Sequence, residues 1–199
     1  MEAAFKKINN LILNAKKIAL STHERPDGDG LGSSIAFYYY IKDYLFKKKG
    51  ENKDVEIRII QPSNYPEQYE IIDPDSIVET YSDEMKNWIK SCDLIILFDI
   101  GHFKRARQVS TIGVKNNIDI VCIDHHHNKD SQLFKESIID LKAPATGLIV
   151  WRYLKLMGFN SSWDIKISKA LYAALITDTG SFRYNNTTSE AHSMAGELI

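Results

Sequence analysis

Residues 94–99 read LIILFD, in which five consecutive apolar side chains, Leu94 to Phe98, are closed by Asp99. A strand with one wet face alternates apolar and polar residues, so an unbroken apolar run marks a strand covered on both faces. The signature recurs at 118–124, IDIVCID, closed by Asp124, and more briefly at Ile18-Ala19-Leu20. VEIRII at 55–60 supplies another strand, and Ile77-Val78 a short one. Between these runs the apolar residues return at helical spacing. Phe5, Ile8, Leu11, Ile12 and Ala15 define an amphipathic first helix. Further helices are predicted over 31–49, ending near Gly50 with a basic last turn, over 85–90, in the polar stretch after Asp99, and over 146–157 and 165–177. A last helix opens at Thr187, where Thr187 and Glu190 have capping-box spacing. The alternation predicts an α/β fold, a doubly wound, mainly parallel β-sheet flanked by helices on both sides.

At 199 residues the chain suffices for one substantial domain. A formal net charge of −1 argues against broad binding of a long nucleic-acid backbone, and leaves room for a small phosphorylated substrate held by local cations. Cys92 and Cys122 sit inside apolar runs without CxxC spacing, as buried hydrophobes of a reducing compartment. The opening residues lack the order of a signal peptide, and no apolar stretch approaches membrane-spanning length. The expectation is a cytoplasmic protein with no membrane partner. The last helical pattern, SEAHSMAGELI, stops at Ile199 without a terminating signal, as in a domain cut from a longer chain.

Ligands of an open parallel sheet bind beyond the carboxyl ends of its strands. After the first strand comes STHERPDGDGLGSS, residues 21–34, carrying His23, Asp27 and Asp29. As an EF-hand loop counted from Asp27 it fails, with Leu31 at the fifth position and Tyr38 at the twelfth. As a dinucleotide loop it offers Gly28 and Gly30, but Ser33 stands at the third glycine position and the second strand ends on Gln61. Pro-Asp-Gly also makes a turn without any ligand. The other strand ends decide. Asp99 closes one, Asp124 to His127 follow another, and Asp178 follows the buried helix ALYAALIT. One aspartate in such a place is usually a cap or a turn, whereas four places in agreement suggest a shared site. Carboxylates gathered there would repel one another and resist ionisation, a cost that divalent cations relieve. Aspartate and histidine without cysteine favour Mn²⁺, leave Fe²⁺, Co²⁺ and Zn²⁺ open, and suit Mg²⁺ less well. Two metals about 3.5–4 Å apart are the usual device for hydroxide attack at phosphorus.

The motifs THERPDGDGLGSS, LFDIG, IDHHH and TDTGSFRYNNTT, in that order over 18–199, resemble the DHH phosphoesterase family. The DGDGLGSS loop, the ATG of Ala145 to Gly147, and TDTGSFRY followed by TTSEAH are most similar to its bacterial oligoribonuclease/pAp phosphatase (nanoRNase) branch. RecJ exonucleases and manganese pyrophosphatases are more distant. The resemblance implies that 1–199 is a DHH catalytic domain with two divalent metal ions. His23, Asp27 and Asp178 would hold one ion, Asp29 and His125 the other, and Asp99 would bridge them. It further implies that His126 faces the substrate phosphate or positions the attacking water, and that Asp124 orients a histidine. Arg105 and Arg183 match recurring arginines that could touch phosphate, and Ser33 and Ser34 are read as residues of a helix N-terminus. His127 is read as solvated. Leu148 and His102 depart from the family pattern outside the ligand set. The resemblance also implies a second domain, DHHA1, which grips nucleotides with a GGGH motif and is expected to lie outside residues 1–199. The implied activity is hydrolysis of short oligonucleotides or 3′-phosphoadenosine 5′-phosphate to nucleoside monophosphates through a metal-bridging hydroxide. Inorganic pyrophosphatase, cyclic dinucleotide phosphodiesterase and a metal-dependent nucleotide-binding module without turnover are the alternatives. A homodimer is among the assemblies left open.

Overall fold

The computed structural model describes residues 1–46, 55–159 and 163–199. Six parallel strands form one sheet: β1 (Lys17–Ser21), β2 (Glu56–Gln61), β3 (Val78–Thr80), β4 (Leu94–Phe98), β5 (Asp119–Asp124) and β6 (Glu136–Ile139). Their spatial order is β3-β2-β1-β4-β5-β6, with Leu20 opposite Ile96 and Ile96 opposite Val121 at the centre. The helices are α1 (Glu2–Asn14), α2 (Gly28–Tyr39), α3 (Lys86–Lys90), α4 (Arg107–Lys115), α5 (Thr146–Leu156), α6 (Ile165–Asp178) and α7 (Ser189–Leu198).

The apolar runs are covered on both faces, as LIILF requires. Leu94, Ile96, Phe98, Val121 and Ile123 pack with Phe37 of α2, Tyr153 of α5 and Leu171 of α6. Their neighbours Ile95, Leu97, Ile120 and Cys122 point the other way, against Ile89 of α3 and Val109 and Ile112 of α4. On the thicker side α2 lies directly on α6. A Cβ on Gly32 would come within 2.2 Å of the Ala170 backbone oxygen, so only glycine allows this approach.

Several boundaries differ from the sequence reading. Helix α2 starts at Gly28, three residues early, because the Asp27 carboxylate accepts the backbone N–H groups of Asp29 and Gly30 and caps it. Ser33 and Ser34 are therefore buried in the helix interior rather than at its N-terminus. The chain continues past Tyr39 in a π-helical turn, Tyr40–Leu45. The end expected at 49–50 lies outside the described residues. β6 was not expected from sequence, since ESII is short, sits at the sheet edge and buries only Ile138 fully. The capping box expected at Thr187 is not formed. Thr188 caps α7 by accepting from the Ala191 N–H, and Glu190 reaches Arg152 instead. Among the described residues, no helix is long and apolar enough to cross a membrane.

Candidate metal centre

β1 and β4 are neighbours at mid-sheet, and the chain leaves them in opposite directions, toward β2 and toward β5. That reversal opens a crevice beyond their carboxyl ends, where sheets of this strand order bind ligands. The loop after β1 and the first turn of α2 supply His23, Asp27 and Asp29. Asp99 follows β4. β5 ends on Asp124 and hands the chain to His125 and His126, while α6 ends on Asp178.

Asp99 is the hub. Its φ of 53° is left-handed, a strained conformation that aspartate tolerates better than most residues. Its Oδ2 lies 3.6 Å from His23 Nε2, and its Oδ1 lies 3.5 Å from His125 Nε2 and 3.1 Å from His126 Nδ1. The two oxygens of one carboxylate thus face two different sets of donors. On one side, His23 Nε2 is also 3.4 Å from Asp27 Oδ2. On the other, His125 Nε2 is 3.1 Å from Asp178 Oδ2 and 3.7 Å from Asp29 Oδ2. Asp178 therefore lies with Asp29 and His125, not with His23 and Asp27 as the sequence reading had it. Among the described residues, three groups could each hold an ion through atoms within 4.8 Å of one another: His23, Asp27 and Asp99; Asp29, His125 and Asp178; Asp99, His125 and His126.

The tautomers suit metal binding. His125 Nδ1 lies 3.1 Å from the Ala143 carbonyl, and His23 Nδ1 2.7 Å from that of Glu24. A carbonyl only accepts, so each neutral ring carries its proton on Nδ1 and presents an Nε2 lone pair to the carboxylates. His125 Nε2 is buried without a hydrogen-bond partner. Lone pairs facing carboxylates need a proton or a cation between them, and the donor set fits divalent cations.

The electrostatics point the same way. Burial pushes the Asp29 carboxyl well above its ordinary range, and the nearby Asp99 and Asp178 add to the rise, against the N–H groups of Gly147 and Thr146. Asp178 is raised chiefly by burial. Burial opposes the charged form of His23, but Asp27 and Asp99 outweigh it and lift the ring to about 9. His126 is lifted to about 10 by Asp124 and then Asp99. Asp99 is held at about 2, because His126 and His23 offset its burial. Raised carboxyls and raised rings alike mean that protons are held between these groups, in the places a cation would take over.

The family model described as DHH family, N-terminal domain, matches residues 17–177. The chain belongs to the DHH family. Among curated DHH relatives, one from Thermus thermophilus, named bifunctional oligoribonuclease and PAP phosphatase NrnA, is 29% identical over 188 residues, 92% of this chain and 49% of the relative. Its namesake from Bacillus subtilis is 26% identical over 189 residues, 92% of this chain and 52% of the relative. The chain thus spans about half the length of these relatives. A crystal structure of an exopolyphosphatase-related protein from Bacteroides fragilis superposes with a TM-score of 0.86 at 24% identity, over all of this chain and 56% of that one, a likeness of fold.

Around these candidate residues of the DHH domain, Asp124 accepts the N–H of Gly101 at 2.7 Å and that of His126 at 2.9 Å, and lies 3.0 Å from His126 Nδ1. It orients His126, whose side chain is 46% exposed at the mouth. Arg105 donates to the Ile100 carbonyl beside Gly101 and His126, so it borders the site. Arg183 is exposed and donates to the Gly180 carbonyl, without reaching the cluster. His127 is exposed, and His102 pairs with Asp130. Sequence reasoning missed what Thr146 and Gly147 do. Their N–H groups donate to Asp29 at 2.6 and 2.8 Å, and the Thr146 hydroxyl donates to Asp99 at 3.2 Å. The N-terminus of α5 thus seats two of the clustered carboxylates. The signal was the small-residue run Ala145-Thr146-Gly147 just before a helical pattern. A Cβ on Gly147 would stand 2.5 Å from that of Ala174.

Proposed function

We propose that this chain is the DHH catalytic domain of a phosphoesterase that hydrolyses short oligonucleotides, 3′-phosphoadenosine 5′-phosphate, or both, to nucleoside monophosphates, with two divalent cations, Mn²⁺ foremost. The observation that carries this reading is the division of Asp99, one oxygen toward His23 and the other toward His125. His23, Asp27 and Asp99 would hold one ion, and Asp29, His125, Asp178 and Asp99 the other. Such ions supply charge neutralisation for a phosphoryl group and activate water for in-line attack at phosphorus.

The chain's own residues do the rest. Asp124 fixes His126 through its Nδ1, which leaves Nε2 at the mouth of the crevice to donate to a phosphoryl oxygen. Thr146 and Gly147 hold the Asp29 carboxylate against the repulsion of its neighbours. Arg105 adds positive charge at the rim. Relatives twice as long have room for a second, DHHA1-type domain, which belongs to this proposal as the source of further nucleotide contacts.

The test is Mn²⁺-dependent hydrolysis of a dinucleotide and of 3′-phosphoadenosine 5′-phosphate by the purified protein. Activity on at least one of them, lost in Asp99→Ala, supports the reading. Nucleotide binding without any turnover would instead make the chain a sensor.

A further inference from the structure

On the thinner side of the sheet, α3 and α4 flank a cleft of about 910 Å³ whose lining includes Phe103 and Lys104, on the turn that follows Asp99. The whole chain carries a net charge of −1, yet this cleft gathers Lys86, Lys90, Lys104, Arg107 and Lys115 against one carboxylate, Asp83. Arg107 is tied to Glu24. The four lysines are exposed and have no ion-pair partner among the described residues. Lys6, Lys17, Lys135, Lys155 and Lys166 each meet a carboxylate, whereas these four gather in one cleft without meeting one. Lys90 and Lys115 stand in last helical turns, where the helix dipole favours a cation. That explanation does not extend to Lys86, in the first turn of α3, or to Lys104 in the preceding turn.

The lining is mainly apolar, although Ser110 and Thr111 also belong to it. Phe103, Ile112 and Val114 line the floor, with Tyr81 at its edge. Cations above aromatic and apolar walls are what a single nucleic-acid strand requires, since bases stack on the walls and phosphates meet the lysines. The turn Phe103–Ala106 connects the two places. It begins four residues after Asp99, turning Phe103 and Lys104 to the cleft while Arg105 reaches back to Ile100. Helix α4, nine residues long, extends about 13 Å away from that point. At a phosphate spacing of about 3.4 Å or more this accommodates roughly two to four nucleotides.

We infer that the α3–α4 cleft binds the part of a single-stranded oligonucleotide that extends beyond the scissile phosphate, and so sets a preference for substrates longer than a dinucleotide. The inference rests on the phosphoesterase reading for its choice of occupant. Its test is the neutral variant Lys86→Gln/Lys90→Gln/Lys115→Gln, which keeps residues of good helix propensity and touches none of the catalytic groups. Binding of a fluorescein-labelled single-stranded RNA hexanucleotide, followed by anisotropy without added metal at 50 mM salt, should weaken tenfold or more. The slope of log affinity against log salt should fall by about 2, at about 0.7 per phosphate contact removed. In turnover, KM for the hexanucleotide should rise while kcat and KM for a dinucleotide stay unchanged. Unchanged hexanucleotide affinity, or equal loss for both lengths, would overturn the inference. Polyglutamate binding as tightly as RNA would do the same. Absence of turnover on every substrate would sink the phosphoesterase reading, while the metal-free binding measurement still reports on the cleft.

Discussion

Gly32→Ala is a sharp test of how this fold builds its site. In an exposed helix interior the change would stabilise by up to about 1 kcal/mol, because alanine is the better helix former. Gly32, however, faces α6, where the new Cβ would stand 2.2 Å from the Ala170 oxygen and 3.1 Å from the Ala174 Cβ. The near atom belongs to a backbone, so no rotamer relieves the clash, and the helices must part by roughly 1 Å to restore ordinary contact. Overpacking of this kind costs about 1–3 kcal/mol, or more, and outweighs the propensity gain. With a gain of up to about 1 kcal/mol set against that cost, the expected net loss is about 1 kcal/mol and at most about 2 unless the clash exceeds the usual range. Asp29 lies one turn before Gly32 on α2, and Asp178 ends α6, so the same displacement spreads one ligand group. Urea denaturation with linear extrapolation should show the loss, and calorimetric titration should show weaker Mn²⁺ binding. Gly196→Ala, where the added Cβ meets nothing within 4 Å, is the control and should be neutral or slightly stabilising. A Gly32→Ala protein as stable as the native one, with the same Mn²⁺ affinity, would refute the reasoning.

Thr146→Val removes the hydroxyl that donates to Asp99 while keeping the side-chain volume. Mn²⁺ affinity should fall about 10-fold with little change in melting temperature, as when ligand-orienting hydrogen bonds are cut. Arg152 joins Asp140 to Glu190 on α7. Burial opposes ionisation of Asp140, but the Lys142 N–H and the Arg152 guanidinium outweigh it and hold the carboxyl below its ordinary range; Glu190 is lowered chiefly by Arg152. Their contribution is therefore complete above the unfolded-state values near 4 and is lost as pH falls through the lower folded-state values. Arg152→Met should cost about 1 kcal/mol at pH 7, a figure kept small because Glu190 is partly exposed, and the two stability curves should converge in acid when followed by urea denaturation.

The parts of the fold legible in sequence are those where burial is complete. Leu94 to Asp99 and Ile120 to Asp124 are buried throughout, so their apolar runs marked central strands, and each ends on a carboxylate that reaches the crevice. β6 escaped because an edge strand of four residues buries too little to leave a pattern. The start of α2 was misplaced because Asp27 serves twice, its Oδ1 capping the helix while its Oδ2 faces His23. That double duty draws Asp29 into the first helical turn and leaves Ser33 and Ser34 inside. The gathering of the predicted aspartates and histidines in one crevice was legible because each follows a strand or helix end that opens there. The side of Asp99 on which Asp178 lies was not, since it depends on how α6 packs against α2. The seating of Asp29 by Thr146 and Gly147 uses backbone N–H groups, which any residue but proline carries and which therefore leave little trace in sequence.

The central claim is that Asp99 divides its carboxylate between two cations. The most direct measurement is anomalous X-ray scattering at the manganese edge from crystals grown with Mn²⁺. The account predicts two peaks about 3.5–4 Å apart flanking Asp99, one beside His23 and Asp27 and the other beside Asp29, His125 and Asp178. A single peak, or none within bonding distance of Asp99, would contradict it.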